Sequence, residues 1–167
     1  FEIVELRDLA AAVTAIKTMQ VRGAPLIGAA AAYGICLAMA ADASDQSLDR
    51  AYDALLASRP TAVNLRWALD VMRSSLRNRR REERVEAAYR CAAEICEEDV
   101  AINAAIGDHG LEILRSAAAK KSGKDPLNVL THCNAGWLAT VDWGTALAPI
   151  YKAYDSGMPI HVWVDET

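Results

Sequence analysis

Leu127-Asn128-Val129-Leu130-Thr131-His132-Cys133-Asn134-Ala135-Gly136 is the stretch that decides the fold. The apolar run over 127–131 reads as a buried strand. It ends in a histidine, a thiol and a turn of small residues. A helical pattern follows over 139–154 and is stopped by Ser156-Gly157. Residues 160–164 then read as a second strand. Strand, helix and strand in this order make a βαβ unit with parallel strands and a right-handed crossover. In open α/β sheets ligands bind at the carboxyl ends of the strands. That end is where the Cys133 thiol and a string of backbone N–H groups fall.

Upstream, Lys120-Lys121-Ser122-Gly123-Lys124-Asp125-Pro126 is polar and carries Gly and Pro, the strongest boundary signal in the chain. It divides a helical N-terminal domain, 1–122, from the start of a Rossmann-like doubly wound domain, 123–167. The fold class is therefore α/β overall. In the first part, Asp8 can cap a helix with Leu9, Val13, Ile16 and Met19 on one face. Pro25 suits the first turn of the next helix, where a missing N–H costs nothing. Residues 24–41 are apolar on every side, so this helix should be central. They approach membrane-span length, but alanine is weakly apolar and Pro25, Gly28 and Gly34 interrupt the run. A buried helix is the expectation. A third helix over about 48–56 ends at Ser58-Arg59-Pro60, where Pro60 holds Arg59 extended. A fourth carries Leu65, Leu69, Met72 and Leu76, with Thr61 able to cap it. A long helix over 83–118 turns Val85, Ala88, Ala92 and Ile95 inward.

The composition narrows the class. Hydrophobic residues make up 53% of the chain, enough for a globular core. The net charge of −4 speaks against a general nucleic-acid binder. The basic run Arg77-Asn78-Arg79-Arg80-Arg81 is followed at once by Glu82 and Glu83 and reads as a solvated helix end. The cysteines at 36, 91, 96 and 133 show no C-x-x-C spacing and no disulfide framework. The first three read as buried thiols of a cytoplasmic protein. The chain begins at Phe1 and stops just after a strand, so it is expected to be part of a longer polypeptide. No Walker loop, G-x-G-x-x-G or zinc spacing occurs.

Candidate chemistry lies at a few points. Arg22-Gly23-Ala24-Pro25 opens a helix, whose free N–H groups and partial positive charge suit an anion. Gly23 and Ala24 allow a ligand near the backbone, and the Arg22 fork suits phosphate. Against this stands an ordinary turn with a surface arginine. Arg59 could grip the same phosphate or simply be solvated. Cys133 is either an activated thiol or a small buried residue at a strand end. His132 points to the opposite face from its neighbour and reads as structural. Asp108-His109 reads as a helix-surface or interdomain hydrogen bond before a metal or acid/base pair. Asp142 and Asp165-Glu166 lie near the mouth of the βαβ unit, shaping a sugar pocket or capping the next element.

Four ordered stretches carry a resemblance over essentially the whole chain. They are the run from Arg22 through Gly28 to Gly34, Ser58-Arg59-Pro60-Thr61-Ala62-Val63-Asn64-Leu65, Thr131-His132-Cys133-Asn134-Ala135-Gly136, and Val164-Asp165-Glu166-Thr167. With Ile106-Gly107-Asp108-His109-Gly110 they resemble the S-methyl-5-thioribose-1-phosphate isomerase family. That family shares its fold with ribose-1,5-bisphosphate isomerase and with the regulatory subunits of translation initiation factor two-B. The resemblance implies an aldose–ketose isomerisation of a sugar phosphate without metal or nucleotide. It also implies a cytoplasmic homodimer, with no nucleic-acid or membrane partner. It makes Cys133 the catalytic cysteine and Arg22, Gly23, Ala24 and Arg59 substrate-binding residues. The family's catalytic aspartate, and its glutamine and Asn-Lys contacts, are expected beyond Thr167, so the isolated chain is expected to be inactive. The Thr-His-Cys-Asn-Ala-Gly motif favours the enzyme over the regulatory subunits, which need no thiol there.

Overall fold

The computed structural model describes residues 2–121 and 125–165. Among them, helices α1 (Leu9–Lys17), α2 (Ala24–Ala41), α3 (Asp45–Ser58), α4 (Val63–Arg77) and α5 (Arg84–Ala119) precede strand β1 (Leu127–Thr131), helix α6 (Ala148–Asp155) and strand β2 (Ile160–Val164). The chain groups into two compact units, residues 1–97 and 98–167. The division falls within α5. The boundary expected at 122/123 falls on residues 122–124, which lie outside the described residues. The α/β class holds, with helices first and a parallel strand pair after.

The first unit is built around α2, which packs against α1, α3 and α4. Its length and composition would suit a membrane span. Ile27, Ala31, Ala32, Ile35, Cys36 and Met39 are instead buried in the core. Small residues permit this closeness. A Cβ at Gly34 would lie 3.0 Å from Leu55 Cδ2, and one at Gly28 would lie 3.0 Å from Asn64 O. The alternating four- and three-residue spacing of Leu65, Leu69, Met72 and Leu76 delivers all four to the core at 0% exposure. Asp8 caps α1 by accepting from Ala11 N at 2.8 Å. Met19 leaves the face expected for it. It lies past the end of α1 with φ 61 and is exposed. The N-cap of α4 is Ala62, without a side-chain hydrogen bond, so Thr61 does not cap it.

The basic run finds acidic partners. Arg77 pairs with Asp49 at 2.6 Å, Arg81 with Asp42 at 2.6 Å, and Arg80 with Glu83, all on the exposed surface. Arg84 differs. Its side chain is 7% exposed and pairs with Asp45 at 2.6 Å. It donates to Ala43 O at 3.0 Å, Arg77 O at 3.2 Å and Arg79 O at 3.2 Å. One guanidinium thus satisfies carbonyls at the end of α4 and in the α2–α3 link. Arg84→Ala strands those carbonyls. Its expected cost is about 1–3 kcal/mol of stability, read by urea denaturation. Arg84→Lys should recover little of it, because an ammonium lacks the guanidinium's planar fork. Wild-type stability for both variants would sink this account.

In the second unit β1 and β2 pair in parallel, with Leu127 opposite Ile160 and Thr131 opposite Val164. The expected buried strand is buried on one face only. Leu127, Val129 and Thr131 turn inward, while Leu130 is 69% exposed and Trp163 57%. Two strands with a single crossover helix cover one side of the sheet. On the open face Trp163 Nε1 donates to Asn128 Oδ1 at 3.1 Å. The helix expected over 139–154 is shorter. A single 3-10 turn covers Trp137–Ala139, and α6 begins only at Ala148. The left-handed conformations of Trp143 (φ 68) and Gly144 (φ 76) break the helical path. Pro149 then starts a new helix, where it fits. The expected stop at Ser156-Gly157 is present, with Ser156 as C-cap.

Candidate active site

The carboxyl ends of β1 and β2 are tied together. Asp165 N reaches Thr131 O at 3.5 Å, extending the ladder by one residue. Beyond it, His132 Nδ1 lies 3.0 Å and 3.1 Å from the two carboxylate oxygens of Asp165. An ionised carboxylate only accepts, so Nδ1 carries the shared hydrogen and Nε2 faces away from the pair. Sequence reasoning weighed His132 only against its neighbour Cys133 and missed this partner. The signal was available in the parallel register. Each residue is the first past its strand, so they come side by side.

Cys133 follows directly, exposed, with φ 66. A non-glycine residue in this region costs roughly 1–2 kcal/mol, so its surroundings must hold it there. Downstream, Ala135 O accepts from Thr145 N at 2.9 Å and Leu147 N at 3.3 Å. Gly144 presses on the same turn. A Cβ there would lie 2.7 Å from Ala135 O and from Gly136 Cα. Gly136 is buried beneath Leu147 and Tyr151. Trp137 stacks on Tyr151 with centroids 4.9 Å apart. Among the described residues, the N–H groups of 133–136 donate to no protein acceptor. Thr131 Oγ1 is buried and also lacks a partner among the described residues. The thiol is therefore presented on a fixed turn beside free backbone donors, where an anionic oxygen could be held.

The other thiols differ. Cys36 is fully buried, and burial pushes it up to about 12. Cys91 is buried and likewise raised by desolvation. Cys96 is only half-buried, against the expectation of a core position. The carboxylates near the mouth of the unit have structural partners. Asp142 Oδ1 accepts from Trp143 N at 2.7 Å. Asp108 pairs with Lys152 at 2.6 Å, and Lys152 also donates to Ala104 O at 2.8 Å. This agrees with the plain reading of Asp108-His109 as a helix-surface contact. Asp99 accepts from Val141 N at 2.8 Å and from Asn103 Nδ2 at 3.0 Å, steadying the loop before α6. Glu166 lies outside the described residues. No cluster of three metal-ligating side chains occurs among the described residues.

The phosphate candidates belong to the first unit. Gly23 is the N-cap of α2 with φ 97, a conformation that favours glycine, and Pro25 lies in the first turn. Arg22 is exposed just before this N-terminus. Arg59 is the C-cap of α3, extended at φ −148, as Pro60 dictates. The close approach of Gly28 to Asn64 puts the N-terminal turns of α2 and α4 together. Arg22, just before α2, and Arg59, in the link that leads into α4, thus lie toward the same end of this unit. Among the described residues neither side chain makes a hydrogen bond or ion pair with protein.

An α/β chain with this helical unit, this opening strand pair and this cysteine turn matches a defined protein class. Residues 20–167 match the Initiation factor 2 subunit family, and the chain belongs to it. Within that family it is similar to methylthioribose-1-phosphate isomerases. It is 62% identical over 166 residues to the one from Rhodospirillum rubrum, covering 97% of this chain and 43% of that protein. The Escherichia coli protein of that name is 59% identical over 167 residues, covering all of this chain and 45% of that protein. Among solved structures, 5-methylthioribose 1-phosphate isomerase from Pyrococcus horikoshii is 34% identical with a TM-score of 0.84, over 99% of this chain and 46% of that one. Subunit delta of the translation initiation factor eIF-2B from A. fulgidus is 40% identical with a TM-score of 0.81, over 98% and 47%. The chain thus spans less than half the length of the relatives it matches.

Proposed function

We propose that the intact protein is an aldose–ketose isomerase of methionine salvage, converting S-methyl-5-thioribose 1-phosphate to S-methyl-5-thioribulose 1-phosphate. The observation that carries this reading is the exposed Cys133 thiol, held left-handed at the carboxyl end of β1. Similarity to isomerases near 60% identity supports it. In this reading Arg22 and Arg59, with Gly23 and Ala24 at the start of α2, bind the phosphate end of the substrate. Cys133 acts at the C1–C2 centre.

The substrate's anomeric carbon carries the phosphate, so the furanose ring must open first. The bond from C1 to the ring oxygen breaks, and that oxygen takes a proton. One hydrogen then passes from C2 to C1, and the hydroxyl on C2 releases its proton as the ketone forms. Cys133 serves this sequence as one member of an acid/base pair, or by polarising the centre during a hydride shift. The pair's second member, by the family resemblance, is an aspartate that this chain does not supply. The chain alone is therefore proposed to be inactive, and the active protein to be a cytoplasmic homodimer.

The similarity to an eIF-2B subunit at 40% identity gives a second reading, a regulatory assembly protein. Turnover separates the readings. The intact protein is expected to isomerise methylthioribose 1-phosphate at least about tenfold faster, in kcat/KM, than ribose 1,5-bisphosphate, the discrimination one hydrophobic contact can give. No turnover of either sugar would leave the regulatory reading. A preference for the bisphosphate would replace the substrate.

A further inference from the structure

The turn that presents Cys133 is fixed at both ends, and the two ends are fixed differently. Downstream, backbone does the work. Ala135 O takes two N–H donors, and Gly144 packs against Gly136. Upstream, a side-chain pair is present, His132 with Asp165. Their side chains are 70% and 51% exposed. A hydrogen-bonded pair so accessible to water adds little to global stability. Its position is more telling than its strength. His132 is the residue immediately before Cys133, and Asp165 is the residue immediately after β2. The pair spans the two strand ends at the point where the chain turns into a conformation that cysteine seldom adopts.

We propose that His132 and Asp165 are positioning residues for Cys133. The carboxylate holds the imidazole through Nδ1, which fixes the backbone leaving β1. Cys133 then stays in the left-handed region and its thiol stays at the carboxyl edge of the sheet. The inference rests on the reading of Cys133 as the reacting group, but its first test does not involve activity.

The test uses the intact protein labelled with ¹³C at cysteine. His132→Ala and Asp165→Ala should each move the Cys133 Cα and Cβ chemical shifts toward their random-coil values. The shifts of Cys36 and Cys91 and the far-UV circular dichroism should stay in place. His132→Asn sets an amide nitrogen near the place of Nδ1 and should keep the wild-type Cys133 shifts. His132→Gln sets its amide near the place of Nε2 and should not. In turnover, the two alanine variants should lose about two- to fivefold in kcat, the weight of one exposed polar contact, with KM unchanged. His132→Asn should retain wild-type kcat. Wild-type Cys133 shifts in folded His132→Ala and Asp165→Ala would overturn the proposal, even in an active isomerase. Loss of kcat in His132→Asn with wild-type shifts would also overturn it, since the imidazole would then act on substrate itself. A wild-type protein without turnover would sink the isomerase reading, and the shifts would still judge the pair.

Discussion

Cys133→Ser in the intact protein is expected to lower kcat for methylthioribose 1-phosphate by about 10²–10⁴-fold, the usual weight of a positioned acid/base group. The fold should not change. Serine is close in size, and Cys133 is exposed, so no core cavity opens. The left-handed backbone at φ 66 is as acceptable to serine as to cysteine. Stability should stay within about 0.5 kcal/mol of wild type, as for surface substitutions generally. Chemistry is what changes, because a hydroxyl gives up its proton far less readily than a thiol. Cys36→Ser is the contrasting control. Its thiol is fully buried and donates to Ala32 O at 3.3 Å, with burial holding it near 12. That variant should disturb packing and leave the chemical step intact. Turnover by Cys133→Ser within about twofold of wild type would remove Cys133 from the reaction, since a group of this kind is worth at least about 10²-fold.

The elements that could be read from sequence are those whose cause is local. The Leu65, Leu69, Met72, Leu76 stripe places itself, because 3.6-residue periodicity needs no partner to be recognised. Asp8 and Pro25 mark helix starts for reasons contained in a single turn. The βαβ order could be read because Gly157 and the small residues after Cys133 punctuate it. What escaped depends on long-range register or on a single dihedral. Asp165 lies 33 positions from His132, and only parallel pairing brings them together. Residues 140–147 keep a helical hydrophobic pattern, yet Trp143 and Gly144 at positive φ break it. Arg84 belongs to the same charged stretch as Arg80 and Arg81, but the carbonyls that bury it come from Ala43, Arg77 and Arg79. For the candidate site, the residue types were legible and their neighbours were not. A thiol at a strand end can be seen in one line of sequence, whereas the turn that holds it is assembled from residues 132–136, 144–147 and 165.

Gly144→Ala tests that assembly, and it should be among the most damaging single substitutions in the second unit. Two effects add. At φ 76 an L-side chain costs roughly 1–2 kcal/mol. The new Cβ would also lie 2.7 Å from Ala135 O, from Gly136 C and from Gly136 Cα. These are backbone atoms, so no rotamer change relieves the contact, and overpacking of this kind costs about 1–3 kcal/mol. The expected loss is about 2–5 kcal/mol, the sum of the two. It should fall on the second unit, read as faster amide hydrogen exchange over 127–165. Gly157→Ala separates the terms. Gly157 has φ 75, but nothing lies within 4 Å of a Cβ there. That variant should pay only the conformational cost, about 1–2 kcal/mol. Gly144→Asn should not rescue, because asparagine tolerates the dihedral but brings the same Cβ. The Ala135 carbonyl that would be pushed away is the acceptor for Thr145 N and Leu147 N. Displacing it should therefore also release the Cys133 turn and lower kcat in the intact protein. Equal losses for Gly144→Ala and Gly157→Ala would show that the backbone contact contributes nothing, and that the turn is held from its upstream end alone.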